Sequence, residues 1–418
     1  MVIKELEEKI VSLLGIEGGP AASILRDFKE SFFALFLVTL GNLITGTIMG
    51  VSTSRLVLLP ALIVLIPGAI AMRGNNFASL GSRLGTYLHT GQIDPSFRKT
   101  RILDENIFSA FFLTLLMSIY LGILASLLAG VVGIPVSIVT MATISILAGI
   151  VSAFFLLWIT ILIAFLSYRN GWDPDNLTSP FITLAGDMLT LPILFLAMDL
   201  VLKLPEGVPE LIFRFFVVIS LFGLIFSVLK ASEMPYSKKI LIESTPMFLI
   251  GGLLSTSSGL ILGKKLGAII GVAGLLTLIP AFLEDGGAIG GILAAKYSTG
   301  LHLGSIEYRI LPDTDSIILF LFAHVLGVFI FSLIGAFAYF INIVIGLGTP
   351  SLKVMVLGSI IAGEALILIM NILVYYLSMI SYKVGLDPDN VVIPLITSVM
   401  DLLGIACLVG TMMIMGII

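Results

Sequence analysis

Ser167-Tyr168-Arg169-Asn170-Gly171-Trp172-Asp173-Pro174-Asp175-Asn176, with Pro180, Thr183 and Asp187 downstream, occurs twice in this chain. The second copy reads Ser381-Tyr382-Lys383-Val384-Gly385-Leu386-Asp387-Pro388-Asp389-Asn390, with Pro394, Thr397 and Asp401 downstream. Every named position is displaced by the same 214 residues. In each copy a polar DPDN turn opens an apolar helix, and about four turns later, at 3.6 residues per turn, that helix carries one carboxylate. A carboxylate at such a depth in a membrane helix costs roughly 2.5–3.5 kcal/mol on insertion scales, so it marks a functional site by default. Two of them, placed by duplication, point to one shared site.

Composition says why the surrounding helices are read as membrane spans. Mean hydropathy is +1.16, 58% of the 418 residues are hydrophobic and 11% are charged, which is the composition of a polytopic membrane protein. The net charge of −4 and the scattered basic residues give no footprint for nucleic acid. One cysteine and three histidines leave no disulfide framework and no thiol or imidazole metal cage. No polar stretch is long enough for an ATP-binding domain.

Working outward, residues 3–14 set Ile3, Leu6, Ile10 and Leu13 on one helical face, as in an amphipathic helix lying on a membrane. Eleven apolar helices follow, near 31–50, 56–85, 105–132, 136–168, 176–203, 207–229, 240–262, 266–298, 315–345, 353–381 and 390–416. They read as five, one and five. Five spans return the chain to the opposite side, so the extra helix lets both units run in the same direction, related by a pseudo-two-fold axis along the membrane normal. The domains are therefore an N-terminal segment 1–29, a first repeat 30–204, a linker helix 205–231 and a second repeat 232–418. Thirteen lysines and arginines fall on the N-terminal side of this arrangement against six on the other. By the positive-inside rule this sets the N-terminus and both DPDN turns in the cytoplasm and the C-terminus outside the cell.

The front half of each repeat agrees. Leu65-Ile66-Pro67 through Gly91 aligns without a gap to Leu278-Ile279-Pro280 through Gly304 at an offset of 213, pairing Gly74 with Gly287 and Leu88-His89 with Leu301-His302. Pro67, Arg73-Gly74-Asn75-Asn76 and Ser82-Arg83-Leu84-Gly85-Thr86-Tyr87-Leu88-His89 resemble the second-helix pattern of the MgtE-type magnesium transporters. The match is closest to their internally duplicated solute-carrier branch, and the DPDN–Pro–Thr–Asp pattern resembles that family's fifth helix. The resemblance implies a divalent-cation conduit, chiefly for Mg2+, with Asp187 and Asp401 lining the pore. It implies that one duplicated chain does the work of a two-subunit relative, and that the cytoplasmic Mg2+-sensing domain of bacterial members is not among these residues. The second repeat departs from the pattern: Glu284-Asp285-Gly286-Gly287-Ala288 stands where the first has Ala71-Met72-Arg73-Gly74-Asn75.

Mg2+ prefers octahedral oxygen and sheds water reluctantly, so it keeps several waters and takes one or two carboxylates. Asp187 and Asp401, with Thr183 and Thr397 four residues earlier on the same faces, suit such a hydrated ion. Gly74, Asn75, Asn76 and Gly287 are candidates to line the path, against a bland reading as small-residue helix packing. Asp173, Asp175, Asn176, Asp387, Asp389 and Asn390 are candidates for its mouth, although capping the helix that follows is the stronger reading. Glu284, Asp285 and Glu364 are acids without an acidic twin, and candidate sites for a coupling ion or a second metal. The leading expectation is a divalent-cation transporter, with a Na+- or H+-coupled exchanger as the alternative. An intramembrane aspartyl protease would also need two aspartates on separate helices, but the Gly-x-Gly-Asp context is missing.

Overall fold

The computed structural model describes the backbone of residues 20–96, 98–169, 174–304, 306–385 and 388–418. Within these, the side chains of 20–26, 89, 174–180, 302–303, 388–391 and 394 are not described. The amphipathic helix expected at 3–14 lies outside the described residues. Among the described residues the protein is entirely helical.

The first repeat comprises α1 (Pro20–Val51), the short α2 (Thr53–Leu58), α3 (Leu62–His89), α4 (Arg101–Val131), α5 (Ile138–Arg169) and α6 (Pro174–Val201). Helix α7 (Val208–Leu229) links it to the second repeat: α8 (Pro235–Lys264), the short α9 (Leu266–Gly271), a 3-10 turn (Ala273–Leu275), α10 (Leu278–Leu303), α11 (Thr314–Ile345), α12 (Leu352–Lys383) and α13 (Pro388–Ile414). Among the described residues, ten of the eleven long helices have the length and apolarity to cross a membrane. The eleventh, α3, matches them in length but carries Arg73, Asn75, Asn76 and Arg83. Helix α7 stands apart: only 6% of its apolar window is buried, and Leu211, Phe215, Phe222 and Leu229 face outward as lipid-facing residues would.

The two expected helices at 56–85 and 266–298 are each broken near the start. The breaks fall on twin residues: Leu59 has φ −133° and ψ 79°, and Val272, 213 residues on, has φ −130° and ψ 66°. In the first repeat Pro60 enforces the break, since the residue before a proline is pushed out of the helical region. The second repeat has Ala273 there and reaches the same shape by other means. The Gly274 amide donates to the Gly348 carbonyl at 2.8 Å, and the Asn342 amide donates to the Gly274 carbonyl at 3.0 Å.

Helix starts are duplicated as well. The Thr100 hydroxyl caps α4 by accepting from the Leu103 amide at 3.2 Å, and its twin Asp313 caps α11 by accepting from the Ser316 amide at 2.9 Å. That backbone hydrogen bond holds the Asp313 carboxyl below its ordinary range.

Packing follows the repeat and then crosses it. Within each repeat the second helix lies along the fifth, α3 on α6 and α10 on α13. The first helices are exchanged: α1 packs on α10 and α11, and α8 on α3 and α4. Glycines make the crossings possible. A side-chain carbon on Gly46 would stand 2.1 Å from the Thr277 carbonyl oxygen, and one on its twin Gly259 would stand 2.5 Å from that of Val64, the twin of Thr277. The third and fourth helices meet the same way in both halves. A carbon at Gly122 would lie 2.4 Å from Ala142 Cα, and one at Gly335 would lie 2.7 Å from Val356 Cα. Such recurrence relates the two halves by a pseudo-two-fold axis passing between α3, α6, α10 and α13.

Candidate cation site

A cavity of about 540 Å³ lies on that axis, walled by α1, α3, α6, α8, α10 and α13. Asp187, Glu284 and Asp401 line it, close enough for their charges to act on one another. Ser79, Ser82, Glu243 and Ser244 lie at the end nearer the starts of α6 and α13, so it faces the side from which the DPDN turns launch those helices. Four acids and no basic residue line the cavity among the described residues.

The three inner carboxylates also border a second, smaller space of about 30 Å³, room for at least one water. Its lining consists wholly of twins: Met49 with Leu262, Ile66 with Ile279, Pro67 with Pro280, Ile70 with Leu283, Ala71 with Glu284, and Asp187 with Asp401. The cavity is therefore open toward the DPDN side and closed beyond the acids by paired apolar side chains. Only Ala71 against Glu284 breaks the chemical symmetry of that ring.

Close helix approach puts the aspartates at this depth. A carbon on Gly186 would stand 3.0 Å from Gly74 Cα, and one on Gly74 would stand 3.3 Å from Thr183 Cγ2 and 3.6 Å from Asp187 Oδ1. In the second repeat a carbon on Gly287 would meet Thr397 Cα at 3.7 Å. Gly74 thus serves the α3–α6 contact, whereas Gly287, Asn75, Thr183 and Thr397 line the cavity. Asp187 is 1% exposed with neither oxygen hydrogen-bonded, and Asp401, 9% exposed, accepts from the Ser255 hydroxyl at 2.5 Å.

Other candidates are turned elsewhere. Asn76 faces α4, donating to the Ala110 carbonyl at 2.8 Å and to the Thr114 hydroxyl at 2.9 Å, and is absent from the cavity wall. Asp285 accepts from the Thr39 hydroxyl of α1 at 2.5 Å and is likewise off the wall. Glu364 lies between α11 and α12, its Oε2 2.5 Å from His324 Nδ1, away from the cavity. Of the mouth candidates, Asp173 and Asp387 lie outside the described residues, as do the side chains of Asp175, Asn176, Asp389 and Asn390.

Arg73 marks a further divergence. Its guanidinium is buried and donates to the Ala69 and Ser145 carbonyls, at 3.1 Å each. Its twin is Gly286, and Leu366, twin of Ser152, closes to 2.8 Å of the place where a carbon on Gly286 would sit. A buried arginine on backbone carbonyls in one repeat is replaced by a leucine against glycine in the other.

Among the described residues no three acidic, histidine or cysteine side chains converge tightly enough to hold a bare metal ion. The acids instead surround a volume able to hold a cation with most of its water, as Mg2+ prefers. Sequence reasoning missed the first helix of each repeat: Val38 and Asn42 of α1 and Met247 and Phe248 of α8 belong to the cavity wall.

Comparison with known proteins agrees with this architecture. The MgtE family model, described as a divalent cation transporter, matches residues 66–197 and 279–411, one segment in each repeat. Solute carrier family 41 member 3 of Rattus norvegicus is 27% identical over 414 residues, covering 92% of this chain and 87% of its own length. Solute carrier family 41 member 2 of Homo sapiens is 25% identical over 383 residues, covering 82% of this chain and 62% of its own length. No solved structure matches.

Proposed function

This chain belongs to the MgtE family of divalent cation transporters, membrane proteins and not enzymes, and we propose that it passes chiefly Mg2+ through the cavity between its two repeats. The observation carrying this reading is that Asp187 and Asp401 line one acidic cavity with no basic residue on its wall among the described residues. A low-dielectric setting makes the mutual repulsion of such carboxylates large, and a divalent cation relieves it. The ion enters from the cytoplasm-facing DPDN side, or leaves by it, and keeps most of its waters at the acids. It crosses only when the paired residues beyond them, Met49 with Leu262 and Ile66 with Ile279, move apart. Thr183 and Thr397 add oxygen to the wall. The N-terminus lies in the cytoplasm, and the single duplicated chain is a complete transport unit. Inward movement needs no coupled reaction, because the membrane potential contributes about 2.3 kcal/mol per charge per 100 mV.

Mg2+ flux into proteoliposomes under an imposed potential, repeated with Na+ and proton gradients, tests the proposal. Flux is expected to follow the potential and to ignore both gradients. Flux that follows a Na+ or proton gradient while ignoring the potential makes the protein an exchanger, and no Mg2+ flux under any condition removes the reading altogether.

A further inference from the structure

A further pair of twins beside the acids also breaks the repeat symmetry. Ser255 of α8 and Asn42 of α1 are twins, 213 residues apart, and Asn42 lines the same cavity as Asp187. In the second repeat Ser255 donates to Asp401 at 2.5 Å. In the first repeat neither amide atom of Asn42 and neither oxygen of Asp187 has a hydrogen-bond partner. Asn42 is 0% exposed and Asp187 is 1% exposed, and both line the cavity.

Leaving a buried amide unpaired costs about 1–3 kcal/mol, and a carboxylate costs more. Native structures keep such groups where a ligand, ion or ordered water completes them. The polar atoms left over on this wall are three oxygens and one amide nitrogen. Asp187 would repel an anion, and an apolar ligand would leave all four atoms unpaired. A cation wrapped in water fits the three oxygens: Asp187 meets its charge, and its coordinated waters, which are donors, find the Asn42 carbonyl oxygen. One turn farther along the same two helices, the hydroxyls of Thr45 and Thr190 are also buried and unpartnered. Their twins are Ser258, whose hydroxyl donates to the Ser255 carbonyl at 2.6 Å, and Gly404, which has no hydroxyl.

Resting on the transport reading above, we infer that the hydrated divalent cation sits off the pseudo-two-fold axis, on the first-repeat wall, and that Asn42 is a ligand to its water shell. Asp401, already held by Ser255, acts from across the cavity through its charge.

The test is the half-saturating Mg2+ concentration of flux in proteoliposomes for Asn42→Ser, Asn42→Asp and Ser255→Ala. It is paired with the rise in Tm that saturating MgCl2 gives the purified full-length protein. Asn42→Ser copies the arrangement of the second repeat and gives Asp187 a hydroxyl donor. It is expected to raise half-saturation about tenfold, equivalent to about 1.4 kcal/mol, and to shrink the Mg2+-induced Tm rise. Asn42→Asp is expected to lower half-saturation, and Ser255→Ala to change it at least threefold less than Asn42→Ser. Equal effects of the Asn42 and Ser255 variants, or an unchanged half-saturation in Asn42→Ser, would overturn the off-axis site. If Asp187→Ala also leaves flux intact, the transport reading itself is what has failed.

Discussion

Asp187→Asn is expected to reduce Mg2+ flux by about a hundredfold or more and, in Mg2+-free buffer, to raise the melting temperature of the protein. The two effects share one cause. Asp187 keeps a carboxylate 1% exposed with neither oxygen paired, facing Glu284 and Asp401. Such a group destabilises the empty protein through lost hydration and like-charge repulsion. On the proposed function, a bound cation makes good the loss. The amide removes the charge and leaves the shape, so the extra cost of burying a charge rather than a neutral amide returns to the fold, while a hundredfold loss of flux corresponds to about 2.7 kcal/mol of lost ion stabilisation. Asp401→Asn is expected to lose flux as well but to gain less stability, because the Ser255 hydroxyl already satisfies one of its oxygens. Flux in proteoliposomes and thermal unfolding in detergent without Mg2+ check both halves. A fall in stability together with flux would mean that Asp187 holds the helices together and reports nothing about an ion.

Much of this site is legible in the chain because duplication acts as an internal control. A lone aspartate in an apolar helix has several explanations; two at a fixed offset, each four turns behind a DPDN turn, have few. What the sequence conceals is azimuth. A helix that is apolar all round gives no periodic signal for which face meets which neighbour. Asn42 and Ser255 therefore carry no local sign of the face they occupy, and both sit on or beside the cavity wall. Asn75 and Asn76 are adjacent in sequence, yet a step of about 100° between residues turns one into the cavity and the other into α4. The exchange of first helices between repeats is likewise a tertiary fact. It brings Thr39 onto Asp285 across 246 residues of chain, and no local pattern announces it. His324 and Glu364, apolar-flanked and 40 residues apart, are joined the same way. The break at Val272 was hidden for a different reason: its twin has Pro60 to signal it, whereas here Asn342 of α11 and Gly348 just beyond that helix supply the hydrogen bonds.

The exchange of first helices leads to the second large effect. Gly46→Leu and Gly259→Leu are each expected to abolish recovery of folded protein, or to destabilise it by about 3 kcal/mol or more. The obstacle at each place is backbone: a side-chain carbon would stand 2.1 Å from the Thr277 carbonyl oxygen in one case and 2.5 Å from that of Val64 in the other. Neither oxygen can rotate away as a flexible side chain could, so the crossing helices must separate, and overpacking of this kind costs about 1–3 kcal/mol even where side chains can adjust. Separation would propagate. Gly46 and Gly259 lie about one turn before Met49 and Leu262, which line the small space beyond the acids, and one turn after Asn42 and Ser255. Alanine at either glycine, adding one carbon, is expected to cost less than leucine and to rank Gly46 above Gly259, following the two distances. Fluorescence-detected gel filtration of detergent extracts, followed by thermal unfolding of whatever survives, measures the ranking. Because the two positions are twins, the decisive outcome is a joint one. Both leucine variants must fail in parallel if the first helices cross between repeats, and a Gly46→Leu protein that folds and transports normally would mean that α1 does not cross at the start of α10.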